Sequence, residues 1–273
     1  MDQLAWYWRR LGRMSAGEMG YRGVKTVKAF AERAGIGTAQ HPPLPTRAFP
    51  TFQLLPPLVL PDKTVYLAAA DRTLRGEFDV FAIRPAHLGF PPAWNTDPAS
   101  GVTAPLSFGK QLDYRNPQQV GDIKYLWEPN RHLQLVTLAQ AYALSDDVRY
   151  LHGIRTLLDS WFDQCPYLRG ANWASSLELA IRLINWSLAW HTIGGVKSEL
   201  FAGDAGNAFK ARWLANVYQH CHFIAGAFSR YSSANNHLIG EAAGLYVGAT
   251  TWRIWNETDA WRDAAKSVLI AEA

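Results

Sequence analysis

Apolar positions change their rhythm twice along the chain. In residues 1–35, Leu4, Tyr7, Trp8 and Leu11 recur at the spacing of one helix face, so this segment is predicted to be helical. Between residues 36 and 120 the rhythm breaks. "HPPLPTRAFP", "LLPPLVLP" and "GFPPAWNTDP" interrupt any helix, because proline lacks an N–H and clashes with the preceding turn. Inside this region "TVYLAAA" and "EFDVFAI" read as short strands, and the remainder as ordered loop lying on something larger. From about residue 122 the helical period returns and persists.

"HLQLVTLAQAYALS" places Leu135, Leu138, Ala139 and Tyr142 on one face, and Asp146-Asp147 then reads as a stop and restart. "VRYLHGIRTLLDSWFDQCP" continues to Pro166. "ASSLELAIRLINWSLAWHTI" carries a stripe of Leu177, Ala180, Ile181, Ile184 and Leu188, with Asn172 placed as its N-cap. "NAFKARWLANVYQHCHFIAGAFS", "NHLIGEAAGLYVGAT" and "DAWRDAAKSVLIAEA" complete a series of at least six helices. Short connections make them antiparallel hairpins, although no residue-level repeat is visible. The predicted fold is mainly α: an incomplete α/α toroid of antiparallel helix pairs over residues 121–273, with residues 1–120 as an N-terminal helix and a Pro-rich, loop-dominated wrapping region. The helical pattern runs to Ala273 without a C-cap glycine, which predicts an architecture that continues past it.

Composition narrows the function classes. The 273 residues are 48% apolar and 18% charged, enough for one large domain or a domain with a small appendage. The 12 tryptophans exceed ordinary packing needs; most belong to a core, yet flat apolar faces with a polar edge also suit sugar rings. A net charge of +4 biases the chain mildly towards anionic partners. No Lys/Arg run suggests nucleic acid, and "WYWRRLGR" is short and isolated. No membrane span is expected, because no run of 18 apolar residues occurs. No signal peptide is readable, so the default compartment is the cytoplasm, with the periplasm as the alternative. Cys165 and Cys221 read as reduced core residues rather than metal ligands or a disulfide. His220 and His222, two apart on a helix, point in different directions, so neither a metal nor a cofactor is expected. Phosphate-loop, dinucleotide, G-x-S-x-G and H-E-x-x-H signatures do not occur.

Three polar clusters stand at helix starts. "SRYSSANNHLIGEAAGL" contains Tyr231, Asn235, Asn236 and His237, followed by Gly240, Gly244 and Gly248 four apart, a face able to press backbone on backbone. Asn235 or Asn236 can cap this helix. The stretch reads either as a capped helix with a satisfied core histidine, or as an anion receptor where free N–H groups and the helix dipole coincide. "DYRNPQQVGDIKYLWEPNRHLQL" brings Trp127, Glu128 and Arg131 together, and "RGANWASSLELAIR" brings Asn172 and Trp173. Amides, tryptophans and a few charges at three helix starts suit a cleft for an anionic sugar polymer.

"YRNPQQVGDIKYLWEPNRHLQLVTLAQAYALSDD", "GANWASSLELAIRLINW" and "SRYSSANNHLIGEAAGL", in this order, resemble the N-terminal helical toroid of the heparinase II/III-like polysaccharide lyases, from about Asp113 onwards. The resemblance implies a toroid followed by an antiparallel β-sandwich domain that these 273 residues do not contain, and β-elimination on uronic-acid polymers such as heparan sulfate or alginate. It assigns Asn236 and His237 to carboxylate neutralisation and enolate stabilisation. Trp127, Glu128, Arg131, Asn172, Trp173, Tyr231 and Asn235 are the expected substrate contacts. It also places the proton-transferring tyrosine, and any metal site, in the continuation, so these residues alone should bind and not turn over. Two other classes stay open: a non-catalytic helical module for anionic polysaccharides, and an α/α-toroid glycoside hydrolase. The latter needs opposed carboxylates, for which Glu128, Glu178 and Glu241 are the candidates.

Overall fold

The computed structural model describes residues 15–51, 62–231 and 236–272. Leu4, Tyr7, Trp8, Leu11 and Asn235 lie outside them. Helix α1, Ala16–Arg33, begins where the Ser15 hydroxyl accepts the Glu18 N–H at 3.1 Å. "TVYLAAA" is a helix and not a strand: α2 spans Thr64–Leu74, started by the Asp62 carboxylate on the Thr64 N–H. Its alanines, Ala68 to Ala70, are good helix formers, and the tertiary contact with a later helix decides the rest. "EFDVFAI" does form strands, β1 at Glu77–Val80 and β2 at Ile83–His87, paired antiparallel with Phe78 opposite Ala86.

The helical series follows. A single turn α3, Pro117–Val120, leads into α4, Ile123–Asn130, and α5, Leu133–Ser145. Asp146 then adopts a left-handed conformation, and the Asp147 carboxylate accepts the Arg149 N–H at 3.0 Å to start α6, Val148–Gln164. The predicted stop and restart is therefore two adjacent residues with opposite jobs. A 3-10 turn at Ala171–Trp173 precedes α7, Ser176–Thr192; α8 spans Gly203–Ala225, α9 Asn236–Thr251 and α10 Thr258–Glu272. Helices α5, α7 and α9 pack side by side, and α6, α8 and α10 pair with them from behind. The described residues are mainly helical with one two-stranded sheet, in the architecture of a helical toroid.

The glycine face of α9 packs as its spacing predicts. A Cβ on Gly244 would lie 2.5 Å from the Cα and carbonyl oxygen of Ala180, so α7 and α9 touch backbone to backbone. Of the predicted stripe on α7 only Ala180 is buried, against Gly244. Leu179, Arg182, Leu183, Trp186 and Trp190 are buried, whereas Leu188 is half exposed and Leu177, Ile181 and Ile184 are only partly covered. This helix is apolar nearly all round, so hydrophobic spacing cannot pick its inner face. Asn172 does not cap it either: Ser175 occupies the N-cap, and Asn172 is fully buried.

The Pro-rich stretch wraps the helices. The N–H groups of Thr46 and Arg47 donate to Ile254 O, the Trp255 indole donates to Pro43 O, and Phe49 stacks on Trp190 at 5.9 Å. One core contains Phe78 and Trp94 from this region with Leu138, Trp161, Trp186 and Trp213 from the helices.

Gly244→Ala should lower the unfolding free energy by about 2 kcal/mol, because added volume here meets backbone that cannot retreat. Gly23→Ala, in α1 with open space around its Cα, should instead raise it by about 0.5–1 kcal/mol. Urea unfolding of both variants checks the contrast.

Candidate functional site

The starts of α7 and α9 come together through short-range contacts. Leu177, in the first turn of α7, lies under Gly240, one turn into α9. Asn236 and His237 form the first turn of α9 and are exposed to solvent. The segment before them is anchored from several sides. Ser176 Oγ donates to Ala227 O at 3.0 Å, while Tyr21 of α1 donates to Phe228 O and Lys25 to the carbonyls of Ala227 and Phe228. Tyr231, half exposed with φ 59°, packs on Tyr21 at 5.5 Å between ring centres.

Glu241 is the hub of this anchoring. Its carboxylate is buried one turn below His237 and accepts both the N–H and the hydroxyl of Ser229, at 2.6 and 2.7 Å. Burial raises its pKa above the ordinary carboxylate value, opposed by the Ser229 bonds and by the fields of Lys25 and His237. Sequence reading saw Glu241 as a candidate acid, and missed its role of holding the segment that leads into Asn236.

Arg131, Glu128 and Glu178 form the second part of the site. Arg131 grips the buried Glu178 with two nitrogens, at 2.9 and 3.0 Å, and Glu128 with a third at 2.8 Å. These pairs raise its pKa. Its charge is therefore already matched, and it is not the free cation that the expected grip on substrate requires. Each of the three carboxylates proposed for a hydrolase is occupied: Glu128 and Glu178 by Arg131, Glu241 by Ser229. Trp127 lies beside this group. Its indole donates to Ala171 O, and its ring meets Tyr114 at 5.3 Å. Among the described residues it is the one tryptophan that is not buried.

Asn172 and Trp173 do not reach a bound sugar, because both are completely buried. The Trp173 indole donates to Cys165 O, and the Asn172 amide donates to Trp94 O and lies 3.2 Å from Cys165 Sγ. Their role is to hold the floor. Under the site, Arg182 is wholly buried and donates to Asn130 O, Asn172 O and His220 Nε2. His220 keeps its proton on Nδ1, facing Asn216 O at 2.7 Å, and desolvation with Arg182 nearby pushes its pKa well down. His132 accepts from Trp186 on Nδ1 and is likewise held neutral. His222 points elsewhere, towards Tyr167, and among the described residues no cluster of His, Cys, Asp and Glu could hold a metal ion.

The model of the Heparinase II/III N-terminus matches residues 96–273, well over half of the chain, and the chain belongs to this family. Solved structures agree in fold. The heparan sulfate lyase HepC from Pedobacter heparinus is 18% identical with a TM-score of 0.60, the match covering 78% of this chain and 30% of that one. A mutant of the same lyase, 18% identical with a TM-score of 0.60, is matched over 94% of this chain and 37% of its own. A heparinase III with methylated lysines is 19% identical with a TM-score of 0.57, the match covering 77% of this chain and 31% of that one. The chain thus spans about a third of the length of these solved relatives. No curated protein matches it. No helix of the described residues is long and apolar enough to cross a membrane.

Arg131→Met should cost about 3 kcal/mol of stability, since it strands the buried Glu178 charge; Glu178→Gln in the same chain should restore part of the loss. Glu241 gives a pH signature. A raised folded pKa means that its contribution is fully present below about pH 4.3 and is lost as pH rises through the folded value. The stability of the native protein relative to Glu241→Gln should therefore fall over that window, as measured by urea unfolding at a series of pH values. A flat difference would remove Glu241 from the account.

Proposed function

We propose that this chain is the helical part of a polysaccharide lyase acting on uronic-acid-containing polymers, heparan sulfate-like or alginate-like, by β-elimination. The observation that carries the reading is the exposed Asn236-His237 pair at the start of α9, in a chain of the Heparinase II/III N-terminus family. The neighbouring structures that bear heparan sulfate lyase names support the substrate class.

β-Elimination needs a proton removed from C5, beside a carboxylate whose negative charge resists further charge build-up. As the C5–H bond breaks, its electron pair forms the C4=C5 double bond, and the C4–O bond breaks to release the glycosidic oxygen, which takes a proton. Hydrogen-bond donors on the carboxylate lower the cost of the enolate-like transition state. The Asn236 amide and the His237 imidazole N–H are donors of this kind, and the positive end of the α9 dipole adds to them. The base that takes the C5 proton is a separate group, which the family resemblance puts on a tyrosine of the continuing chain. Trp127 offers the ring face that a sugar would pack against.

The test is the protein that contains this chain in full length, incubated with heparan sulfate and with unsulfated uronate polymers. Ultraviolet absorbance of an unsaturated uronide should appear. His237→Ala should lower kcat by about 10²–10³, equivalent to about 3–4 kcal/mol, with polymer affinity nearly unchanged. Reducing ends without unsaturation would point to hydrolysis instead. Unchanged kcat would sink the assignment of His237.

A further inference from the structure

Helix α1 is docked the wrong way round for a simple packing helix. Val24, Val27 and Phe30 are 67%, 70% and 59% exposed, whereas Glu18 and Glu32 are 6% and 5% exposed. An amphipathic helix normally buries its apolar face, since burying charge costs free energy that must be recovered elsewhere. Here the charged face looks inward, onto a cavity of about 520 Å³ between α1 and the start of α7. That volume is in the range of small-molecule sites, about 300–1,000 Å³.

The walls of the cavity are unbalanced in charge. Lys25, Lys28 and Lys110 line it with one acid, Glu32. Lys110 donates to Glu32 at 2.7 Å, and Lys28 stands at the edge of ion-pair distance from the same carboxylate, 4.0 Å. Lys25 binds two carbonyls, which offset none of its charge. Glu241, behind the wall, offsets part of the Lys25 charge through its field, since its hydrogen bonds from neutral Ser229 leave the carboxylate charge in place. Arg22, also on the wall, is paired to Glu18. Three lysines, set against Glu32 on the wall and Glu241 behind it, leave an excess of positive charge in a half-enclosed space. Burial pushes the pKa of both Lys25 and Lys110 down, with Glu241 opposing the shift at the first and Glu32 at the second.

Apolar faces complete the cavity. Phe223 lies under the Lys110 ammonium at 4.2 Å, and Tyr114 joins the cavity to Trp127. Ser176 and Ala227, which anchor the segment before Asn236, form its far wall. We propose that this cavity is an anion subsite for the glycan, in which Lys25, Lys28 and Lys110 take a sulfate ester or a second carboxylate of a sugar ring next to the one held at Asn236 and His237. The subsite rests on the lyase reading for the identity of its ligand, and on the geometry above for its charge. Helix α1 is then a wall of the binding site.

The test uses the full-length protein and two probes, a heparin-derived tetrasaccharide and an unsulfated uronate tetrasaccharide, titrated by calorimetry at low and physiological salt. Lys28→Gln should weaken the tetrasaccharide by about tenfold, and Glu32→Gln should tighten it by a similar factor, because it removes the only wall carboxylate. Gly226→Ala provides a charge-neutral control. A Cβ there would meet only Lys28 Nζ, the end of a flexible side chain that can swing aside with its charge kept, so this variant should change affinity little. A preference for the heparin probe that is lost in Lys28→Gln identifies sulfate, and equal loss for both probes identifies carboxylate. Unaltered affinity in Lys28→Gln and Glu32→Gln, with thermal unfolding near that of the native protein, overturns the subsite and leaves the lyase reading intact. Altered affinity without any unsaturated product keeps the subsite and overturns the lyase.

Discussion

A guanidinium with none of its surface in water has to find acceptors for its N–H groups inside the protein, and Arg182 finds neutral ones. Two carbonyls and one imidazole nitrogen receive it, from the end of α4, the turn before α7, and α8. Its ring-facing side lies 5.0 Å from the centre of Trp161. Burial pushes its pKa down to about 10, with Glu178 opposing from outside direct contact, and it stays protonated at neutral pH. Removing any one partner would strand a buried donor, so the four elements are held to one arrangement. His220 and His132 are tied to that same choice: both are neutral because a fixed positive charge and a dry environment surround them. The floor of the candidate site is rigid for this reason.

Above that floor the polar groups are arranged in layers of decreasing burial. Glu178 and Glu241 are almost fully covered and each holds one movable-looking piece in place: Arg131 on one side, the segment ending in Tyr231 on the other. Asn236, His237 and Trp127 stand outermost. The buried acids therefore act through what they position, while the exposed amide, imidazole and indole are the groups a ligand can touch. This separation explains why a strong ion pair such as Arg131–Glu178 is a poor candidate for substrate charge recognition, and why cations have to come from another element.

Some of this was legible in the residues and some was not, for identifiable reasons. Glycine at every fourth position of α9 marks a close backbone approach whatever the partner, so Gly244 could be read without knowing Ala180. The Asp146-Asp147 pair could be read because capping is local. The inner face of α7 could not, since Leu177, Ile181 and Leu188 are as apolar as Leu179, Leu183 and Trp186, and only the neighbouring helices choose between them. Asn172 resembled a cap, because an Asn near a helix start usually is one; its amide N–H instead donates to Trp94 O, far off in sequence, and faces Cys165 Sγ. Trp173 and Trp127 are indistinguishable as letters, and one is core while the other is accessible.

The orientation of α1 is the least legible feature and bears most on function. Its sequence alternates a cationic and an apolar face, and ordinary burial would put the apolar face inward. Three tertiary facts reverse the choice: Tyr21 and Lys25 have carbonyl partners at Ala227 and Phe228, Glu32 has Lys110, and Gly226 has no side chain to block Lys28. The first two bring polar groups inward, and the third leaves the flexible end of Lys28 its place against the α8 C-terminus. Each of these contacts lies on the segment that enters α9 or on the wall facing it. Docking α1 by its charges thus fixes the approach to Asn236 and His237 and, in the same step, surrounds that approach with lysines.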